Sequence, residues 1–252
     1  MQDHSGKVVL VTGASRGIGK AIAVGMAGFG YDVVLTDIAR EREALDAVKA
    51  EIAATDRRAF AFTADVSREA EIQRLVADAL KEAGRIDVLV NNAGILAPSL
   101  LQDLGEASWD AHFDVNTKGV WMMCKAALPH MRARKSGRIV NIASIAGRQG
   151  VPTQGHYAAT KAAVITLTRV FAQEVGMDGI TVNAVCPGII LTEMGKNNLG
   201  NTEAIRHWEG VTALKRLGQP EDVVGTVYFF ASDLADFVTG QALNVDGGIY
   251  YH

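Results

Sequence analysis

Tyr157 and Lys161 are the two residues whose types and spacing most directly suggest acid–base chemistry. They stand four positions apart in a helix-like segment, and residues at i and i+4 lie on one helical face, one turn apart. A phenol has an ordinary pKa of about 10, so it exchanges protons poorly at neutral pH without help. A fixed ammonium group nearby favours the phenolate and lowers that pKa. The pair therefore suits acid–base catalysis, although the same spacing also occurs on solvent-facing helices.

A glycine-rich segment, residues 12–19, follows the first short run of β-branched residues. Glycines there permit a tight turn and a close approach of the backbone to a pyrophosphate, and the next helix offers amide donors and the positive end of its dipole. A second strand follows about twenty residues later, which is the context that a dinucleotide site requires. We expect this loop to bind the cofactor through Gly13, Ser15, Arg16, Gly17, Ile18 and Gly19.

Asp37 ends the second predicted strand and bears on the choice of cofactor. A carboxylate at that point accepts both hydroxyls of the adenosine ribose and repels a 2′-phosphate, which favours NAD. Arg16, Arg40 and Arg42 lie nearby and leave NADP possible, because a guanidinium can pair with such a phosphate. We predict NAD, since the exclusion exerted by the carboxylate is harder to evade.

Short β-branched runs alternate with amphipathic segments along the whole chain. This alternation predicts a single-domain α/β fold over residues 1–252, a doubly wound parallel sheet of the Rossmann type with helices on both faces. The predicted strands are 7–11, 32–35, 59–63, 86–90, 138–142, 181–185 and 242–245. The predicted helices are 18–29, 41–54, 69–83, 109–131, 157–175 and 220–231.

The composition excludes several classes of function. A net charge of −3 gives no general attraction to nucleic acid, and no apolar run is long enough to span a membrane. Cys124 and Cys186 lie far apart in apolar surroundings, which predicts buried free thiols and a cytoplasmic location. The histidines show no metal-binding spacing, so we expect no metal.

Three motifs occur together in an order and spacing that are highly specific: the glycine loop, the stretch Asn91-Asn92-Ala93-Gly94 and the Tyr157–Lys161 pair. Over essentially the whole chain this pattern resembles the short-chain dehydrogenase/reductase family. The resemblance implies that the catalytic residues are Asn116, Ser144, Tyr157 and Lys161.

The resemblance also implies a role for each of these four residues. Ser144 would orient the substrate oxygen, and Tyr157 would be the general acid in reduction and the general base in oxidation. Lys161 would lower the pKa of Tyr157 and bind the nicotinamide ribose, and Asn116 would hold a water in a proton relay. The resemblance also implies a homotetramer. The further cofactor contacts that it implies are Asp65, Val66, Asn91, Ala93, Gly94, Tyr157, Lys161, Pro187, Gly188 and Thr192.

The segment 189–217 is longer than an ordinary connection, which predicts a lid over the substrate. Its amides, imidazole and indole suit a small alcohol or carbonyl compound with several hydroxyls better than a long acyl chain. We therefore predict an NAD-dependent polyol or sugar dehydrogenase. The lid residues behind this prediction are Asn197, Asn198, Asn201, His207 and Trp208, and the expected substrate contacts are Ser144, Gln154 and Tyr157.

Two alternatives stay open. The segment 12–19 is also common in NADPH-dependent 3-oxoacyl-carrier-protein reductases, in which Arg16 would matter and Arg132 and Lys135 would dock an acidic carrier; Asp37 argues against this function. The chain could also be a cofactor-binding module without turnover, which four intact catalytic residues disfavour.

Overall fold

The centre of the molecule is one sheet of seven parallel strands in the order β3-β2-β1-β4-β5-β6-β7. The computed structural model describes residues 4–251, apart from the side chains of residues 196–198. The strands are β1 Val8–Thr12, β2 Asp32–Asp37, β3 Ala59–Thr63, β4 Val88–Asn91, β5 Gly137–Ile142, β6 Ile180–Pro187 and β7 Ala242–Val245.

The strands are apolar on both faces because both faces are covered by helices, as a parallel sheet requires. In β1, Val8 and Leu10 pack into one core while Val9 and Val11 pack into the other, following the two-residue alternation of a strand. Helices α3, α5 and α7 cover the first face, and α1, α2 and α10 cover the second. The helices are α1 Gly17–Gly28, α2 Arg42–Ala53, α3 Glu69–Ala83, α4 Glu106–Phe113, α5 Gly119–Ala133, α6 Ala146–Gln149, α7 Gly155–Val175, α8 Glu193–Leu199, α9 Thr202–Val211 and α10 Pro220–Ala231.

The predicted doubly wound α/β fold is confirmed. The chain passes outward from β1 through β2 to β3, then returns to place β4 on the other side of β1. Ligands of such sheets bind at the carboxyl ends of the strands where the direction of winding reverses, which here lies between β1 and β4.

The predicted helix 109–131 differs from the structure. Helices α4 and α5 are joined by one π-helical turn, Asp114–Lys118. Within this turn the Asn116 side chain bonds the backbone of Ile95, and a Cβ added at Gly119 would lie 2.9 Å from the carbonyl oxygen of Val66. These tertiary contacts, which the sequence pattern does not reveal, fix the wider turn.

The segment 189–217 contains the two short helices α8 and α9 instead of an irregular loop. Along residues 4–251, no helix combines the length and the apolarity needed to cross a membrane. Both cysteines are buried and free, as predicted.

Candidate active site

A cleft of about 710 Å³ opens at the carboxyl ends of the central strands. Its size lies within the range of ligand-binding clefts, about 300–1,000 Å³. The predicted site residues on its wall are Gly13, Arg16, Gly17, Ile18, Gly19, Asp37, Asp65, Val66, Ala93, Gly94, Ser144, Gln154, Tyr157, Lys161, Pro187, Gly188 and Thr192. Three predicted residues do not line it: Ser15, Asn91 and Asn116.

The glycine loop forms one end of the cleft. Gly13 has a φ of +64°, which glycine adopts without steric cost. A Cβ added at Gly19 would lie 2.0 Å from the carbonyl oxygen of Gly13, so only glycine fits there. The Asn92 amide donates to the carbonyl oxygens of Thr12 and Gly13, at 2.9 and 3.1 Å, and holds the loop against β4. This cradle, at the start of α1, fits the pyrophosphate of a dinucleotide.

Asp37 is held in place by the loop itself. Its Oδ2 accepts hydrogen bonds from the amide and the hydroxyl of Ser15, at 3.1 and 2.6 Å, and its Oδ1 accepts from the amide of Ile38. Ser15 therefore serves the site by orienting Asp37 instead of lining the cleft as expected. The carboxylate is fixed at the end of β2, where an adenosine ribose would lie.

Asn91 also departs from the expected position. It is the last residue of β4, and the alternation of the strand turns its side chain into the core, where its amide donates to Oδ1 of Asn141 at 2.8 Å. The neighbouring Asn92, which is not among the predicted cofactor contacts, lies on the cleft wall. Which of the two asparagines faces the cleft depends on the register of β4 against β5, and the sequence alone does not give this register.

Ser144 and Tyr157 form the centre of the candidate active site. Ser144 follows β5, and its Oγ accepts from the amide of Ala146 at 3.1 Å. Burial raises the pKa of Tyr157 above its ordinary value, a hydrogen bond with Ser144 acts in the opposite direction, and the nearby Cys186 raises it further. The phenol therefore stays protonated at neutral pH, as the predicted role of Tyr157 as a general acid requires.

Lys161 is buried one turn beyond Tyr157 on α7. Its Nζ donates to the carbonyl oxygen of Ile142 at 2.8 Å and lies 5.7 Å from the centre of the Tyr157 ring. Burial lowers the pKa of Lys161 to about 8. Because the ammonium group donates to this backbone carbonyl and not to the phenol, the lowering of the Tyr157 pKa by Lys161 stays a prediction.

Asn116 is fully buried behind the cleft wall. Its Oδ1 accepts from the amide of Ile95 at 2.8 Å, and its Nδ2 donates to the carbonyl oxygen of Ile95 and to Oγ1 of Thr160. A Cβ added at Gly94 would lie 3.2 Å from Oδ1 of Asn116 and 3.5 Å from Nζ of Lys161. The asparagine thus ties the Asn-Asn-Ala-Gly stretch to α7 next to the lysine, and its role in a proton relay stays a prediction.

The lid contradicts the expectation of a polar substrate pocket. Asn201 caps α9 by accepting from the amide of Ala204 at 2.8 Å, and His207 is exposed. The side chains of Asn197 and Asn198 lie outside the described part of the structure. Trp208 does line the cleft, together with five apolar lid residues, Ile189, Ile190, Met194, Leu199 and Ala204, and with Thr192, Glu193 and Gly195. The polar types of Asn201 and His207 therefore reflect capping and solvent exposure.

The basic residues considered for carrier docking are already paired. Nε of Arg132 lies 3.0 Å from Asp178, and Nζ of Lys135 bonds the same carboxylate. They are thus less available to an acidic partner than the sequence suggests.

Comparisons with known proteins agree with the fold and correct the substrate. Residues 13–250 match the family described as enoyl-(acyl carrier protein) reductase. The chain is 47% identical over 244 residues to a 3-oxoacyl-(acyl-carrier-protein) reductase of Synechocystis sp., covering 96% of each chain. It is 43% identical over 244 residues to a Staphylococcus epidermidis protein of the same description, covering 97% of this chain and 99% of the relative.

Among solved structures, levodione reductase is 35% identical to this chain and superposes with a TM-score of 0.92, covering 96% of this chain and 97% of that one. The curated relatives overturn the prediction of a polyol or sugar dehydrogenase. They agree better with the 3-oxoacyl reductase that the sequence left as an alternative.

Proposed function

Because the chain belongs to the short-chain dehydrogenase/reductase family, we propose that it reduces 3-oxoacyl thioesters with a nicotinamide dinucleotide as hydride donor. Family membership makes it an oxidoreductase that binds such a cofactor. The finer proposal draws support from relatives at 40–47% identity over nearly the whole chain. The observation in the structure that carries it is the apolar wall beside Ser144 and Tyr157.

That wall suits an acyl chain. Leu96, Val151 and the lid residues Met194, Leu199 and Trp208 line the cleft that also contains the predicted catalytic residues, and the polar residues Gln149, Thr153 and Gln154 line it too. Apolar surface of this kind gains free energy by burying methylene groups, at about 0.8 kcal/mol for each CH₂. Sugar hydroxyls placed against these apolar residues would be left unpaired, at a cost of about 1–3 kcal/mol for each.

The chemistry follows from the hydrogen bonds at the site. The 3-oxo oxygen would lie between Ser144, which orients it, and Tyr157, which donates the proton as negative charge develops. The bound nicotinamide supplies the hydride to the carbonyl carbon. Lys161 would bind the nicotinamide ribose and, while charged, favour the phenolate left after proton transfer.

We propose NAD(H) as the cofactor. The Asp37 carboxylate is fixed by three hydrogen bonds at the end of β2, where it would accept the two ribose hydroxyls and oppose a 2′-phosphate. The loop glycines leave room for the pyrophosphate, and Asp65, Val66 and Thr192 line the remaining wall.

We also propose a homotetramer. Trp109, Trp121 and Val170 are exposed on the side of α4, α5 and α7, and Leu234 and Phe237 are exposed near β7. Contiguous exposed apolar surface marks subunit contacts, and the proposal is that these two groups of residues form such surfaces. Sedimentation velocity should show four copies, and Val170→Glu should lower the assembly state; an unaffected tetramer would exclude the α7 face as a contact.

The test is a reduction assay on purified protein with three thioesters and both cofactors. Acetoacetyl-acyl-carrier-protein should be reduced faster with NADH than with NADPH, and Tyr157→Phe measures the background. A crotonyl thioester, with a carbon–carbon double bond in place of the 3-oxo group, tests the reaction named by the family description. Turnover of the crotonyl substrate alone would refute the proposal. Acetoacetyl-coenzyme A shows how much the carrier contributes.

A further inference from the structure

A network of charges borders the adenosine end of the cleft. The guanidinium of Arg16, in the glycine loop, lies 3.3 Å from the Glu41 carboxylate through Nη2 and 3.3 Å from the Glu193 carboxylate through Nη1. Glu41 directly precedes α2, and Glu193 begins the lid helix α8. The one arginine able to meet a 2′-phosphate from the loop is therefore engaged by two carboxylates within the described structure.

Glu41 engages a second cation as well. Nε of Arg40 lies 3.5 Å from the same Oε1 that faces Arg16. The Glu41 side chain is 16% exposed, against 56% for Arg16 and 75% for Arg40. The Glu41 carboxylate is thus the sheltered partner of both exposed guanidiniums. Water screens its attraction for them less than it screens an ion pair on the open surface.

We propose that Glu41 is a second determinant of cofactor specificity, which works by neutralising Arg16 and Arg40. This inference rests on the proposed cofactor site at Asp37. Asp37 would act on the ribose hydroxyls directly, whereas Glu41 acts on the cations that a 2′-phosphate would need. A 2′-phosphate could recruit either guanidinium only by displacing it from Glu41.

The local charge supports the same conclusion. Three carboxylates, Asp37, Glu41 and Glu193, and the two guanidiniums line the cleft, so these five groups carry a net charge of −1 before any ligand binds. A phosphate monoester adds about −1.5 to −2 at pH 7. Removing the sheltered carboxylate would free one or both cations and bring the net charge of these groups from −1 to zero.

The test measures the binding of two cofactor fragments, so its result does not depend on turnover. Binding of adenosine 2′,5′-bisphosphate and of 5′-AMP would be measured by titration calorimetry on wild type, Glu41→Gln and Glu193→Gln. Glu41→Gln should raise the affinity for the bisphosphate relative to 5′-AMP by about tenfold. Glu193→Gln is the matched control, because Glu193 lies at the same distance from Arg16 but its side chain is 67% exposed. In this variant the ratio of the two affinities should change less than threefold.

An unchanged affinity ratio in Glu41→Gln, or an equal loss for both fragments, would overturn the inference. Steady-state KM values for NADPH and NADH should shift in the same direction as the fragment ratio. The proposed cofactor is tested separately: if wild type prefers NADPH, the NAD proposal fails. A tenfold shift in Glu41→Gln would still support the role of Glu41.

Discussion

Lys161→Met should make the protein more stable at neutral pH while disabling it. Burial lowers the pKa of Lys161 from 10.5 to about 8, so the charged lysine costs about 3 kcal/mol in the folded state relative to the unfolded chain. Methionine fills the same space without the charge, but it loses the hydrogen bond to Ile142, which is worth about 1 kcal/mol. At pH 7 the variant should therefore be about 2 kcal/mol more stable than wild type.

The pH dependence of the stability difference between variant and wild type distinguishes the burial of a charged lysine from other causes. Between pH 8 and 10.5 the unfolded lysine binds a proton that the folded lysine has lost, so wild-type stability rises with pH in this window. Below pH 8 the lysine is charged in both states and its full cost is present. The advantage of the variant should thus shrink by about 2 kcal/mol between pH 7 and pH 10.

Thermal unfolding at fixed protein concentration measures this change, which corresponds to about 4–8 °C in the difference between the two melting temperatures. Lys81→Met, at an exposed position on α3, controls for the loss of a lysine without burial. A stability difference between Lys161→Met and wild type that stays constant from pH 7 to 10 would refute the reasoning. It would mean that the ammonium group is not dehydrated in the folded protein.

Three further predictions address the site and its supports. Tyr157→Phe should lower kcat by about 10²–10⁴-fold while leaving the dissociation constant of NADH within threefold of wild type, as stopped-flow and fluorescence titration would measure; retained turnover would remove Tyr157 from catalysis. Gly19→Ala should abolish dinucleotide binding in calorimetry, because its Cβ would meet the Gly13 carbonyl oxygen at 2.0 Å; wild-type affinity would show that the loop can move aside. Asn201→Ala should destabilise the start of α9 by about 1 kcal/mol and speed hydrogen exchange there, whereas Asn201→Ser should restore protection; equal exchange in both variants would exclude the cap.

The strand pattern predicted the architecture because buried parallel strands need apolar residues on both faces. The predicted strands 59–63 and 242–245 have the bounds of β3 and β7, and the other five differ by one to two residues at their ends. The π-helical turn could not be predicted, because it depends on contacts of Asn116 and Gly119 with residues far away in the sequence.

The positions of individual side chains could not be predicted where direction, and not residue type, decides. Ser15 and Asn91 are polar residues within expected motifs, yet one bonds Asp37 and the other turns into the core. The substrate prediction failed for the same reason, since the polar type of Asn201 and His207 did not indicate that they face away from the cleft. Glu41 gave no signal in the sequence, because its partner Arg16 lies on another element.

The π-helical turn also decides what the outside of the molecule presents. Trp109 and Trp121 stand twelve positions apart, and an uninterrupted α-helix would place them about 120° apart around its axis. One extra residue in the turn reduces that angle to about 20°, which brings both exposed indoles onto one side. The turn therefore acts as a phase correction between the inner face, which carries the buried Asn116, and the outer face, which carries the two indoles. Deleting one residue from 114–118 would shift both faces together, so loss of activity and loss of assembly would coincide in a deletion scan.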